Sequence, residues 1–142
     1  LMHLGAAAVV ADLRRLRDTG QLNAVPQPEQ GISYAAKLNK EEAQIYWSQP
    51  ADVLARKIRA FNPVPAAWTL WEGKPLKIWQ AHSTQDTGAA GEILAADSKG
   101  ILVGCGTGAL RIELLQPAGG KRMNAAAFAA GRSRLIGECL GK

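Results

Sequence analysis

Cysteine is nearly absent from this chain, with two thiols in 142 residues. Cys105 stands at a glycine-rich strand end and Cys139 near the C-terminus. Two thiols so placed build no disulfide framework, and no His or Cys joins them at metal-ligand spacing, so no metal is expected. They read as small apolar residues in a reducing compartment. Aromatic residues are few, at 6% of the chain, so the core must be built mainly from aliphatic side chains and alanine. No apolar run approaches the roughly 18 residues that span a bilayer, which predicts a soluble protein with no membrane partner. Residues 1–11 are apolar, yet they lack a basic leader and run into Asp12-Leu13-Arg14-Arg15. They read as an amphipathic helix rather than a signal peptide. Internal repeats and low-complexity tracts are missing too. The GCGTG stretch at 104–108 lacks the lysine and following helix of a phosphate-binding loop and reads as a hairpin turn.

Positive charge is present in excess, and its location is informative. The net charge is +5. Residues 1–47 hold five basic and five acidic side chains, whereas residues 48–142 hold twelve basic against seven acidic. All of the excess therefore lies in the second part, which favours a polyanionic partner, most plausibly nucleic acid.

The length suits one compact domain plus an appendage. Residues 1–18 read as a helix: Leu4, Ala8 and Ala11, then Leu13 and Leu16 after a shift of phase, form an apolar stripe. Gly20 ends it in the left-handed position. The helix has no partner within its own segment, which predicts a neighbouring domain upstream. Residues 21–47 read as a linker, with Pro26, Pro28 and Gly31 set against regular helix. Within it, Asn39 and Glu42 have capping-box spacing, which predicts one short helical turn before Ile45-Tyr46-Trp47. Ser48 is expected to cap a second helix, with Pro50 near its first turn and Val53, Leu54 and Ile58 inward. Asn62-Pro63 ends that helix.

From Trp68 onward the period is two. Strands are expected at 68–71, 76–83, 92–96, 101–105 and 110–115. In the second, Leu76 and Ile78 alternate with Lys77 and Trp79. In the fifth, Leu110, Ile112 and Leu114 alternate with Arg111 and Glu113. Glu72-Gly73, 84–91, 97–100 and 106–108 are turns. Asn124 is expected to cap a short helix, 125–130, ended by Gly131. This inventory predicts a mainly β fold with short helices, a five-stranded Greek-key barrel of the oligonucleotide/oligosaccharide-binding (OB) type over residues 48–142. It is preceded by the isolated helix of residues 1–20 and the linker of residues 21–47.

Several segments are similar, in order, to one family. They are Tyr34-Ala-Ala-Lys-Leu-Asn-Lys-Glu-Glu-Ala43, Ile58-Arg-Ala-Phe-Asn-Pro63, Leu76-Lys-Ile-Trp79, Leu114-Leu-Gln-Pro117, Gly120-Lys-Arg-Met123 and Phe128-Ala-Ala-Gly-Arg132. Together they resemble the C-terminal region of the methionyl-tRNA formyltransferase family, across essentially the whole chain. Ala66 departs from that pattern, where glycine is commoner, and so does Asn124, where serine is commoner. The opening helix resembles the end of the family's formyl-transfer domain. The resemblance implies a cytoplasmic enzyme that formylates the methionyl group on initiator tRNA, with formyl-tetrahydrofolate as co-substrate. It implies no cofactor in this piece. The family's working asparagine, histidine and aspartate belong to an N-terminal catalytic domain, and neither His3 nor His82 matches that histidine. No catalytic residue is therefore expected in this chain, and its partners are initiator tRNA and that missing domain.

The candidate tRNA-binding residues are basic. Lys37 and Lys40 flank Leu38-Asn39 in the linker. Arg56 and Arg59 lie three apart on the second helix, and Lys74 and Lys77 lie on the second strand. Lys121 and Arg122 come just before the Asn124 helix start, where basic side chains beside exposed amides can hold phosphate, and Arg132 follows that helix. Such contacts position RNA by its backbone without reading bases. Trp47, Trp68, Trp71 and Trp79 can stack on bases, but core or rim packing is the better reading of four tryptophans in so aromatic-poor a chain. Two rivals keep the architecture. One is a structural barrel in a related formyltransferase acting on a sugar nucleotide or folate, with no RNA partner. The other is a free-standing single-strand binder, against which the orphan helix argues. General acid–base chemistry needs groups converging on the reacting amine. The 142-residue chain is thus expected to yield no formyl-methionyl-tRNA from formyl-tetrahydrofolate, and product detected by acid-gel electrophoresis would contradict this.

Overall fold

Alternating apolar and polar residues from Ala67 onward resolve into an antiparallel sheet in the computed structural model, which describes residues 1–22, 24–132 and 134–142. Strands β1 (Ala67–Trp71), β2 (Lys74–Thr84), β3 (Ile93–Asp97), β4 (Gly100–Gly104) and β5 (Ala109–Pro117) lie in the order β1-β2-β5-β4-β3. A short β6 (Met123–Asn124) pairs with β5. The chain leaves β2 for the far edge strand β3 and meanders back to β5, a Greek-key path. All five expected strands are present, with slightly different ends; β6 is an addition too short for alternation to announce. At the first hairpin Trp71 pairs with Lys74, and Glu72 (φ 50) and Gly73 (φ 70) both take positive φ, as a two-residue hairpin turn of the primed type requires.

Two compact units are distinguished, Leu1–Ala36 and Lys37–Lys142. The first contains α1 (Met2–Thr19), none of whose residues is buried. Gly20 closes the helix at φ 69, its N–H donating to Leu16 O at 2.8 Å. Asn23, inside the expected linker, lies outside the described residues. Among the described residues no helix is long and apolar enough to cross a membrane.

Residues 37–47 belong to the second unit. Asn39 and Glu42 form the reciprocal capping box: Asn39 Oδ1 accepts from Glu42 N–H at 2.8 Å, and Glu42 Oε1 accepts from Asn39 N–H at 3.3 Å. The 3-10 turn Glu41–Ala43 follows. Ile45 N–H then donates to Trp68 O on the edge of β1 at 2.8 Å, and Ala43, Ile45 and Trp47 are buried.

Helix α2 (Ala51–Ala60) starts later than expected. Pro50, not Ser48, occupies the N-cap position, in an extended conformation with ψ 144. The residue before a proline disfavours helix, so Gln49 cannot be its first turn. The inward stripe is Ala51, Leu54, Ala55 and Ile58, with Val53 only half-buried, the i, i+3, i+4, i+7 set of an amphipathic helix. Burying Leu54 and Ile58 contributes roughly 1.5–3 kcal/mol each. Helix α3 (Ala125–Ala130) has Asn124 at its N-cap, but the amide side chain makes no capping hydrogen bond. Phe128 from α3 meets Trp71 edge to face at 5.0 Å.

The C-terminal segment reaches both edges of the strand order. Gly137 N–H donates to Ile93 O at 2.9 Å, Ile93 N–H to Glu138 O at 2.8 Å, and Leu140 N–H to Gly91 O at 2.8 Å. On the β1 side, Gly141 N–H donates to Leu70 O at 2.8 Å. Backbone groups that an edge strand would leave open are thereby paired. The GCGTG stretch is the β4–β5 turn. Gly106 N–H donates to Trp47 O at 2.9 Å and Gln49 O at 3.1 Å. A Cβ at Gly106 would run into the carbonyl oxygen of Ser48, so that glycine is required by close approach.

Ala66, where glycine is commoner in the resemblance, holds φ 73 and is buried. The left-handed conformation costs an L-residue roughly 1–2 kcal/mol, while glycine there gives up a buried methyl worth about 0.8 kcal/mol and some chain entropy. Ala66→Gly is expected to leave stability within about 1 kcal/mol, whereas Ala66→Val, β-branched at positive φ and overpacked, loses more than about 2 kcal/mol. Urea unfolding midpoints measure both. Burial pushes the Cys105 thiol up to about 11, so at pH 8 it is protonated and enclosed. Ellman's reagent is expected to label Cys105 only after denaturation, and rapid labelling of the native protein at that position would contradict the packing.

Candidate nucleic-acid interface

One cross-strand row on the outer face of the sheet organises the basic residues. Trp68 on β1 pairs with Lys77 on β2, and Lys77 pairs with Gln116 on β5. Leu76 and Ile78 are buried and Lys77 is exposed, because successive side chains alternate across a strand. The register then slips. Ile78 faces Leu115 but Gln80 faces Leu114, so Trp79 is an extra residue in β2; Ala81 faces Ile112, so Glu113 is an extra residue in β5. Two compensating bulges result. They explain why Leu115, not the expected Leu114, is the buried position.

The β2 bulge sets Trp79 among polar partners from the outer row. Its Nε1–H donates to Gln116 Oε1 at 3.2 Å, and Gln116 Nε2–H donates onward to Gly120 O at 2.9 Å. The Arg122 guanidinium lies 3.3 Å from the indole centroid and Lys77 Nζ lies 5.8 Å away. The ring is only 7% exposed, so a covered indole seats two cations by cation–π attraction, worth ~0.5–2 kcal/mol each. Through Gly120 the same network ties down the loop that carries Lys121 and Arg122. Lys40 joins from the other side, its carbonyl accepting Trp68 Nε1–H at 2.9 Å. Lys40, Trp68 and Lys77 line one groove together with Glu41, Pro65 and Pro75.

The fold thus brings Lys40, Lys77 and Arg122 into one strip, with Lys121 beside it. Arg59 lies in the last turn of α2, three residues before Asn62, whose amide donates to Trp79 O at 3.0 Å. Lys37 is exposed at the start of this unit. The other candidates lie elsewhere. Arg56 is held by Asp52 at 2.7 Å one helical turn away, and this hydrogen bond lowers the Asp52 carboxyl below its ordinary range. Lys74 pairs with Trp71 and stands out of phase with Lys77. Arg132 donates to Phe128 O at 2.8 Å and stacks over Phe128 at 3.6 Å and Trp71 at 4.7 Å.

Trp68 and Trp79, expected from the sequence as core or rim packing, and Gln116, which was no candidate, are parts of this strip. The same-phase placement of Lys77 and Trp79 was the available signal for the indole; nothing local marks Gln116. Other charges are locally engaged. Lys57 donates to Gln44 O at 2.7 Å beneath Tyr46, and burial lowers its ammonium below the ordinary lysine range. Arg111 donates to both carboxylate oxygens of Asp97 at 3.1 Å. The Lys99 N–H first, and Arg111 after it, hold the Asp97 carboxyl low. His82 Nδ1 and Glu113 Oε1 lie 2.6 Å apart. Among the described residues Lys40, Lys77, Lys121 and Arg122 have no carboxylate partner, and no cluster of acidic, His or Cys side chains could hold a metal.

Comparison with known proteins agrees with this architecture. The family described as "Formyl transferase, C-terminal domain" matches residues 37–133. The methionyl-tRNA formyltransferase of Neisseria gonorrhoeae is 62% identical over 133 residues, covering 94% of this chain and 43% of that protein. That of Thiobacillus denitrificans is 52% identical over 140 residues, covering 96% and 44%. The chain therefore spans less than half the length of these relatives. Among solved structures, HypX from Aquifex aeolicus superposes with a TM-score of 0.63 at 20% identity, over 87% of this chain and 22% of that one. HypX in complex with tetrahydrofolic acid gives 0.59 at 22% identity, over 82% and 21%. These two likenesses concern the fold alone. With the family match extending over more than half its length, the chain belongs to the formyl transferase C-terminal domain family.

Proposed function

We propose that this chain is the C-terminal part of a cytoplasmic enzyme that formylates methionyl-tRNA from formyl-tetrahydrofolate, and that its own share is to hold the initiator tRNA. The observation that carries the reading is the 62% identity to methionyl-tRNA formyltransferase over nearly the whole chain. The strip of unpaired cations on the outer face supplies the physical means. In this reading the transfer itself belongs to the part of the relatives that this chain does not span. That part is also the domain to which the present one presents its RNA.

Lys40, Lys77, Lys121 and Arg122 contact phosphates, with Lys37 and Arg59 at the margins. Arg122 presents a planar fork suited to a phosphate, and Trp79 holds that fork in place without neutralising it. Lys77 acts as a point charge. Such contacts fix the register of the RNA backbone and carry no base information. Holding the substrate near a catalytic centre converts a bimolecular encounter into a nearly unimolecular one, a large lever on rate. Arg56, Lys74 and Arg132 complete the candidate set. Arg56 and Arg132 are the weakest members, because the Asp52 carboxylate and the Phe128 carbonyl already accept their hydrogen bonds.

Titration of the 142-residue chain with uncharged tRNA at several salt concentrations tests this. Three or four phosphate contacts predict a log–log slope of about −2 to −4. Lys77→Glu combined with Arg122→Glu is expected to flatten that slope by about 2, while Lys74→Glu changes it less. Absence of binding at low salt would leave the domain a structural role, as in a relative acting on a sugar nucleotide or folate.

A further inference from the structure

Three of the four tryptophans are occupied by their own fold. Trp47 Nε1–H donates to the buried Thr69 hydroxyl at 3.0 Å. Trp71 donates to Glu138 and is covered by Phe128 and Arg132. Trp79 has Arg122 and Lys77 over its ring. Trp68 differs. It is half-buried, and its N–H is held by Lys40 O. Among the described residues no aromatic ring or cation stacks on its face. The indole lines a groove of about 320 Å³ whose other walls are Pro65 and Pro75, with Lys40, Glu41 and Lys77 completing it.

We propose that this groove is a subsite for one unstacked nucleobase of the bound RNA. The base lies on Trp68 and the adjoining phosphate turns toward Lys40 and Lys77. This inference rests on the tRNA-holding reading of the same strip. A slot walled by an indole and two prolines takes a flat ring. The indole is already fixed by its hydrogen bond, so stacking on it orders little further side chain. Two ammonium groups against one carboxylate make the groove net positive, which selects a neutral ring that brings an attached phosphate over a neutral aromatic side chain. Unpaired bases are what aromatic platforms recognise in RNA. The Glu41 carboxylate accepts hydrogen bonds only, so a base meets it through an exocyclic amino group or a ring N–H, and a purine is favoured over uracil because it overlaps more of the indole.

The first arm uses the 142-residue chain itself. AMP and ribose 5-phosphate, which share a phosphate and differ in the base, are titrated while the indole N–H resonances are followed by NMR. The Trp68 signal is identified by its loss in Trp68→Phe. AMP is expected to move that resonance and to bind at least ~5-fold more tightly than ribose 5-phosphate, with UMP between them. Equal binding of the two phosphates, or AMP shifts that spare Trp68, would overturn the subsite. In the second arm, Trp68→Ala is expected to weaken tRNA binding by roughly 5- to 150-fold with the salt slope unchanged, since a base stack releases no counterions. Trp68→Phe is expected to restore most of the affinity. Salt-dependent tRNA binding that ignores Trp68→Ala sinks the subsite and leaves the tRNA reading standing. If the wild-type chain ignores tRNA, that reading falls, and base-dependent binding of AMP alone decides the groove.

Discussion

The pairing of β2 with β5 is the constraint on which the rest of this domain depends. It runs from Leu76 opposite Pro117 to Thr84 opposite Ala109, and every other strand or helix of the domain is laid against it directly or through one neighbour. One face presents Leu76, Ile78, Ala81, Leu110, Ile112 and Leu115 to the core. A one-residue slip would send that whole set to solvent. Two bulges interrupt the ladder, yet each undoes the register change of the other, so the apolar face is preserved on both sides. What the bulges alter is the outer face, where Trp79 and Glu113 are inserted. A β-bulge re-aims a side chain at small cost to the core, and here it sets an indole beneath Arg122.

Charge in this domain divides into engaged and available groups. Lys57, Arg56, Arg111 and Arg132 all donate to local acceptors, carbonyls or carboxylates. An engaged cation needs extra energy to leave its partner for a phosphate, whereas Lys40, Lys77, Lys121 and Arg122 do not. Stacking on Trp79 is compatible with phosphate binding, because the quadrupole of the ring attracts the guanidinium without supplying a competing hydrogen-bond acceptor. The composition-level excess of positive charge thereby becomes a directional feature of one face.

Much of this was legible in the sequence wherever the controlling interaction was local. The Asn39–Glu42 box joins residues three apart, and the left-handed stop at Gly20 depends on one residue's sterics. The Glu72-Gly73 turn and the five alternating strands have the same short range. The late start of α2 was legible in principle, since Pro50 keeps Gln49 out of the helix that Ser48 was expected to cap. Other features depended on distant partners. Residues 37–47 carry linker-like signals, but Ile45 and Trp47 bury themselves against β1 and the core. The two ends of the sheet receive hydrogen bonds from residues 137–141, whose glycine-rich sequence has no strand period.

For the candidate strip, the residue types were readable and their company was not. Excess lysine and arginine after residue 48 gave the expectation of a polyanionic partner, and alternation alone set Lys77 and Trp79 in phase. Segments resembling a known family pointed to its identity before any coordinates. Only tertiary structure could seat Arg122 on an indole 43 positions earlier, set Trp68 across from Lys77, or lay Arg132 over Phe128. Such contacts depend on register, and register is decided by which apolar set fills the core. The sequence by itself determined the elements and the net charge, because these follow from neighbours along the chain. The fold decided which cations stand together, because that follows from neighbours across it.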